Sequence, residues 1–334
     1  MFAKIVATRL QAFVFTLLLV HSVTFTNNAF ATQLNDSESR FFSLKEVQLS
    51  RSKELAPLGF ISSSDGVPLA FRNYHSVNPK AILIFYHGAG AHSGLLYNHL
   101  GVGLRDEFQM TVYMPDIRGH GSSGGARGDA PSENQVWHDI TMMIDYIRTF
   151  HPTTPIFLGG HSAGAGLILN YSNWEQRHTV AGYVLVAPYL GFRSKTSLEP
   201  DDEDYRFSEV NVAKFVVNSI TKGLFFSHSK AVEFNFPKDI LEKNPEIVTF
   251  NTVTMSNAIT PSSPSLQLHQ LKRFGLWIGS KDEAFDSEKV MEFAENNRQK
   301  HADAEINVLD GETHFSIILR SADVIGSWIL HKVQ

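Results

Sequence analysis

The sequence predicts an α/β architecture: a mostly parallel, doubly wound sheet of about eight strands, with a helical insert after the sixth. Three observations carry this. Short, nearly unbroken apolar runs recur along the chain, as in strands covered on both faces by helices. The segments between them repeat apolar residues at helical spacing. The alternation then breaks once, between Tyr189 and Gln270, a stretch too long for a crossover loop.

Taken in order, Glu46–Leu49 and Leu69–Tyr74 read as early strands, with Ser64-Asp65-Gly66 as a tight turn between them. Five apolar runs follow: Ala81–Tyr86, Thr111–Met114, Pro155–Leu158, Tyr183–Ala187 and Phe274–Ile278. Ile306–Leu309 closes the set. Leu96, Leu100 and Leu104 form one helical stripe, and Val136, Ile140, Met143, Ile144 and Ile147 form a longer one. Ser132 and Gln135 are spaced as a capping box at the head of that second helix. The insert has its own amphipathic element at Val212, Phe215, Val216 and Ile220, and carries eight phenylalanines from Phe192 to Phe250. Most of these are expected to pack the insert against the sheet, leaving two or three to line a pocket.

The chain has 334 residues, 43 % hydrophobic and 19 % charged, enough for one large domain with an insertion or for two domains. A net charge of −5 without a basic stripe argues against a nucleic-acid partner. The first residues read as a secretion signal: Lys4 and Arg9, an apolar run over residues 10–20, then Ala29-Phe30-Ala31 as a cleavage site. The expected division is a signal over 1–31, a core over 32–188 and 271–334, and a lid over 189–270. The expected destination is secreted or periplasmic; the alternative is an uncleaved N-terminal membrane anchor. There is no cysteine, which excludes disulfides, a thiol nucleophile, a lipoprotein anchor and cysteine-ligated metal.

Chemistry concentrates at Gly160-His161-Ser162-Ala163-Gly164, which lies between a predicted strand and a predicted helix. A serine on such a corner is exposed as a nucleophile, and its glycine neighbours permit the sharp backbone path. It needs a base, an acid to orient the base, and donors for an oxyanion. Among fifteen histidines, His314 follows the last strand, in a loop at a strand's carboxyl end where open α/β sheets place their sites. The acid is sought after the preceding strand, where Asp282, Glu283 and Asp286 lie close together. Asp282 sits in the turn itself, whereas Asp286 precedes Ser287-Glu288-Lys289 and reads as a helix cap. Asp201, after the sixth strand, is the alternative acid. The turn His87-Gly88-Ala89-Gly90 follows the third predicted strand, so the Ala89 and Ala163 amides are the expected oxyanion donors.

These pieces occur in one order: His87 to Gly94, Asp116-Ile117-Arg118-Gly119-His120-Gly121-Ser122-Ser123-Gly124, Gly160 to Gly164, Gly279-Ser280-Lys281-Asp282, and His314. Together they resemble the monoacylglycerol lipase and lysophospholipase branch of the α/β-hydrolase superfamily, which also holds serine aminopeptidase-like enzymes. The resemblance covers about residues 55–330 and fades in the insert. It implies the α/β-hydrolase fold and ester hydrolysis through an acyl-enzyme, without cofactor or metal, on a monoacylglycerol or lysophospholipid-type substrate. It also implies transient contact between the lid and a membrane surface. Ala163 stands where methionine is common in the lipases, which alters the pocket but not the amide. Two rivals remain: an aminopeptidase or amidase with the same triad, and a non-catalytic binding protein on the same fold.

Three further features read as structural. The acidic run from Glu199 to Asp204 lacks the glycine and spacing of a calcium loop and is expected to be solvated. Arg127-Gly128-Asp129 spells an adhesion tripeptide but falls at a turn. His92, His120 and His161 share no metal-ligand spacing on one element.

Overall fold

A computed structural model of the chain describes residues 52–198 and 207–333. The expected signal, its cleavage site, the strand at Glu46–Leu49, the acidic run and Asp201 lie outside the described residues. In chain order the core begins with β1 (Leu58–Ser62), β2 (Pro68–Tyr74), β3 (Ile82–Tyr86), α1 (Asn98–Phe108), β4 (Thr111–Pro115), α2 (Glu133–Phe150), β5 (Ile156–His161), α3 (Ala163–Ser172) and β6 (Gly182–Val186). The insert follows, with β7 (Ser208–Val210), α4 (Val212–Ile220), β8 (Lys230–Phe234), α5 (Lys238–Lys243), β9 (Phe250–Thr252), α6 (Val253–Ile259) and α7 (Pro264–Gln270). The chain closes with β10 (Arg273–Gly279), α8 (Ser287–Asn297), β11 (Asp303–Leu309) and α9 (Ser316–Val333).

Eight strands form one sheet in the order β1-β2-β4-β3-β5-β6-β10-β11. The pairs β1–β2 and β2–β4 are antiparallel and the remaining five are parallel. The unbroken apolar runs have the physical cause inferred for them. Alternate side chains of the inner strands enter two separate cores, so their central positions are apolar. Ile82, Ile84, Ile156, Leu158, Leu185 and Leu276 pack on one face with the stripe Val136, Ile140, Met143, Ile144 and Ile147 of α2. Leu83, Phe85, Val112, Phe157, Val184 and Trp277 pack on the other with Leu100 and Leu104 of α1 and Ile325 and Trp328 of α9. Among the described residues no helix is long and apolar enough to cross a membrane.

Three expectations are corrected. The tight turn at Ser64–Gly66 joins β2 to β1, a strand over Leu58–Ser62 that was not anticipated. It sits at the sheet edge, with Phe60 and Ser62 exposed, so it lacks the apolar continuity that marks the inner strands. The capping box is half formed. Ser132 accepts from the Gln135 amide at 3.1 Å, but the Gln135 side chain donates to Ser63, Ser64 and Asp139 instead of turning back. The insert is mixed rather than helical: β7, β8 and β9 form a separate three-stranded antiparallel sheet. Its apolar helix α4 faces solvent, with Val212, Val216 and Ile220 exposed. Phe207, Phe234 and Phe236 instead cluster ring against ring, with centroids 5.1–6.4 Å apart.

Candidate active site

The carboxyl ends of β3, β5, β6 and β10 and the loop after β11 build one site. Ser162 stands between β5 and α3 with φ 54° and ψ −120°, a backbone that a non-glycine residue adopts only under constraint. The constraint is visible. The Ser162 amide donates to the Val186 carbonyl of β6, and its carbonyl accepts from Ala165 and Tyr189. Side chains at the flanking glycines would destroy the corner. A Cβ on Gly164 would lie 2.5 Å from the Tyr86 and His87 carbonyl oxygens, and one on Gly160 2.4 Å from the Gly164 carbonyl carbon.

The three neighbouring carboxylates separate by what they touch. Asp282 is buried; its Oδ2 accepts from His314 Nδ1 at 2.9 Å, and its Oδ1 accepts the amides of Ala284 and Phe285, each at 2.9 Å. The carboxylate is thereby fixed on both oxygens, and the imidazole is held with its proton on Nδ1 and its lone pair on Nε2. Asp286 accepts from the Lys289 amide and caps α8. Glu283, which sequence reasoning left without a role, accepts the main-chain N–H of His314 at 2.7 Å.

His161 ties these parts together. Its Nε2 lies 2.9 Å from the His314 carbonyl, which can only accept, so the proton is on Nε2. Its Nδ1 therefore accepts from the Tyr97 hydroxyl at 3.0 Å, and that oxygen in turn accepts from the Gly88 amide at 2.8 Å. A chain of hydrogen bonds thus runs from the turn after β3, past the residue next to Ser162, to His314. The His161 and His314 rings sit 4.6 Å apart. Burial, then the nearby His314, drives the His161 pKa well below the usual value, so it stays neutral. The structural role expected for His161 is this bridge, invisible in sequence because its partner lies 153 positions away.

The turn after β3 lies beside the serine: a Cβ on Gly88 would come within 3.3 Å of Ser162 Cβ. Among the described residues, no backbone bond outside the helices and strands takes up the Ala89 or Ala163 N–H. His87 accepts from the Ile117 amide at 3.0 Å through Nε2 and donates from Nδ1 to the Gly88 carbonyl at 2.8 Å. Desolvation, helped by neighbouring His120, pushes its pKa down to about 3. Asp116 accepts the amides of Ser93 and Ser122 and so fastens the loop after β3 to the loop after β4.

The insert reaches this loop directly. The Val248 amide donates to the Gly90 carbonyl at 2.9 Å, and a Cβ on Gly90 (φ 70°) would lie 2.4 Å from the Val248 oxygen. Arg127 donates to the Gly121 and Glu246 carbonyls, and Asp129 accepts from Thr252 Oγ1 at 2.6 Å. The Arg127-Gly128-Asp129 tripeptide is therefore occupied in seating the insert. Among the described residues no group of three histidine or carboxylate side chains could hold a metal ion.

Known proteins resemble this chain in sequence and in fold. The family model described as serine aminopeptidase, S33, matches residues 77–317. The mouse (Mus musculus) monoglyceride lipase is 26 % identical over 283 residues, covering 83 % of this chain and 89 % of that protein. Phospholipase YtpA of Bacillus subtilis is 29 % identical over 119 residues, 36 % of this chain and 44 % of that one. A soluble variant of monoglyceride lipase from Saccharomyces cerevisiae, solved with a substrate analogue, superposes with a TM-score of 0.62. It is 14 % identical and covers 84 % of this chain and 96 % of its own. The monoacylglycerol lipase of Paleococcus ferrophilus superposes at 0.56 with 21 % identity, covering 79 % of this chain and 99 % of its own. At these identities the two structures show a shared fold.

Proposed function

The chain belongs to the serine aminopeptidase (S33) family of α/β hydrolases, and from that premise we propose that it is an exported serine hydrolase of lipid carboxylic esters. The single observation that carries the chemistry is the Asp282–His314 pair, held by His161 against the corner that presents Ser162. In this reading His314 Nε2 takes the Ser162 hydroxyl proton as Oγ attacks the ester carbonyl. The carbonyl π electrons move onto oxygen, where the Ala89 and Ala163 amides receive the charge. Collapse expels the alcohol, which leaves with the proton held by His314, and the acyl group stays on Ser162. Water then attacks by the same route, giving the carboxylic acid and free serine. Asp282 keeps the imidazole oriented.

The monoglyceride lipase and phospholipase relatives support a monoacylglycerol or lysophospholipid-type substrate. The exposed apolar face of α4 supports transient contact with a lipid surface. Export through a signal ending at Ala31 rests on sequence alone; mass spectrometry of the exported protein should find Thr32 first.

The test is kcat/KM for p-nitrophenyl esters from acetyl to palmitoyl, beside monoacylglycerols, lysophospholipids and aminoacyl anilides. Each added methylene should raise it up to about fourfold until the acyl site is full, at ~0.8 kcal/mol per buried methylene. Ser162→Ala and His314→Ala should each lower turnover at least ~10³-fold. Anilides outrunning every ester would favour the aminopeptidase reading. An active Ser162→Ala protein would sink the mechanism.

A further inference from the structure

His314 lies in a loop between β11 and α9, so no strand or helix ladder holds its backbone. The loop is nevertheless gripped at three atoms of that one residue. Asp282 takes Nδ1, His161 takes the carbonyl oxygen, and Glu283 takes the main-chain N–H at 2.7 Å. Two of the three grips come from the chain neighbours of the other reacting residues: Glu283 follows Asp282, and His161 precedes Ser162. The β10 turn and the histidine loop are also in close backbone contact, since Lys281 N–H donates to the Glu312 carbonyl and a Cβ on Gly279 would lie 2.0 Å from that oxygen. The neighbouring Glu312 carboxylate is engaged by the Ser316 hydroxyl, which leaves the His314 amide to Glu283.

We infer that Glu283 is a positioning residue: its carboxylate oxygen fixes the His314 main chain so that Nε2 meets the Ser162 hydroxyl. The inference rests on reading Ser162, Asp282 and His314 as a triad. What the site requires from Glu283 is an acceptor atom at the end of a three-carbon reach, not its charge. Glutamine offers that acceptor at the same reach. Aspartate keeps the charge but falls one methylene short, and alanine offers neither.

The experiment compares Glu283→Ala, Glu283→Asp and Glu283→Gln in the full chain, reading kcat and KM on a p-nitrophenyl ester and the rate of fluorophosphonate labelling. Loss of alignment should lower kcat of Glu283→Ala about 10- to 100-fold and slow labelling in parallel, with KM within about threefold. Glu283→Gln should return kcat to within about threefold of the unchanged protein, and Glu283→Asp should not. A Glu283→Ala protein within about twofold of the unchanged kcat overturns the inference, as does a glutamine variant no better than alanine. Ser162→Ala is run alongside. If it is active the triad reading falls; if it is inactive while the Glu283 variants turn over normally, only the role of Glu283 falls.

Discussion

In β3 every residue from Ile82 to Tyr86 is buried, whereas in α4 of the insert Val212, Val216 and Ile220 are 63, 42 and 74 % exposed. Both segments are apolar for different reasons. The strand's side chains are sandwiched between α2 and α3 on one face and α1 and α9 on the other, and their burial holds the strand ends that carry the site. Among the described residues the helix face stays largely exposed, so its apolar character contributes little to folding. Hydrophobicity that stabilises can thus be told from hydrophobicity that remains for a partner or substrate, and sequence periodicity alone does not separate them.

Substitutions can break or sharpen that contrast. The largest effect is expected at the buried ion pair behind the sheet. The Arg118 guanidinium, 1 % exposed, binds both oxygens of Asp139 at 2.8 Å and also reaches Asp65. Asp139→Ala leaves that cation buried with Asp65 as its remaining carboxylate partner, and should cost about 3–5 kcal/mol in denaturant unfolding. A cost below about 1 kcal/mol would mean that the core carries less of the stability than its burial implies.

Acid should act on the same half of the molecule. Burial is the first cause that pushes His87 down to about 3, His120 to about 4 and His161 well below its ordinary value. All three are neutral in the fold but take up protons in the unfolded chain below about pH 6.5. The unfolded state then binds more protons, so stability is fully present above about pH 6.5 and falls as the pH drops toward 4. Each histidine should contribute about 1.4 kcal/mol per pH unit to that slope. His120→Gln should flatten the melting temperature against pH over this window, and an unchanged slope would refute the assignment.

The smallest effect is expected on the insert. Val216→Ser and Ile220→Ser should each change stability by less than about 0.5 kcal/mol, because neither side chain is buried. A loss of about 2 kcal/mol from either would mean that this face is packed after all, and the contrast would fail.

How far the sequence could be read follows the same division. The inner strands and the α2 stripe were legible because burial on both faces leaves a continuous apolar signature. β1 was not, since an edge strand alternates and mixes polar residues. The strands of the insert are three to five residues long, too short for periodicity to register. At the site, the strand-to-helix corner at Ser162 and the loop of His314 could be located by order and position. The choice between Asp282 and Asp286 turned on recognising a helix cap, and Asp286 does cap α8. The role of Glu283 is invisible there, because accepting a main-chain amide has no pairwise signature in sequence. The bridge through Tyr97 and His161 depends on tertiary approach across the sheet and was equally hidden.

The hydrogen bond from the Val248 amide to the Gly90 carbonyl couples the seating of the insert to the shape of the turn beneath it. Linkage then works in both directions: the free energy with which the turn steadies the insert equals that with which the insert steadies the turn. If Ser162 and the Ala89 amide act as proposed, a covalent phosphonate adduct on Ser162 should slow deuterium uptake at Val248 while leaving the amides of α4 exchanging as before. Occupancy of the turn would then be read at a buried amide of the insert, through one of the backbone contacts that seat it.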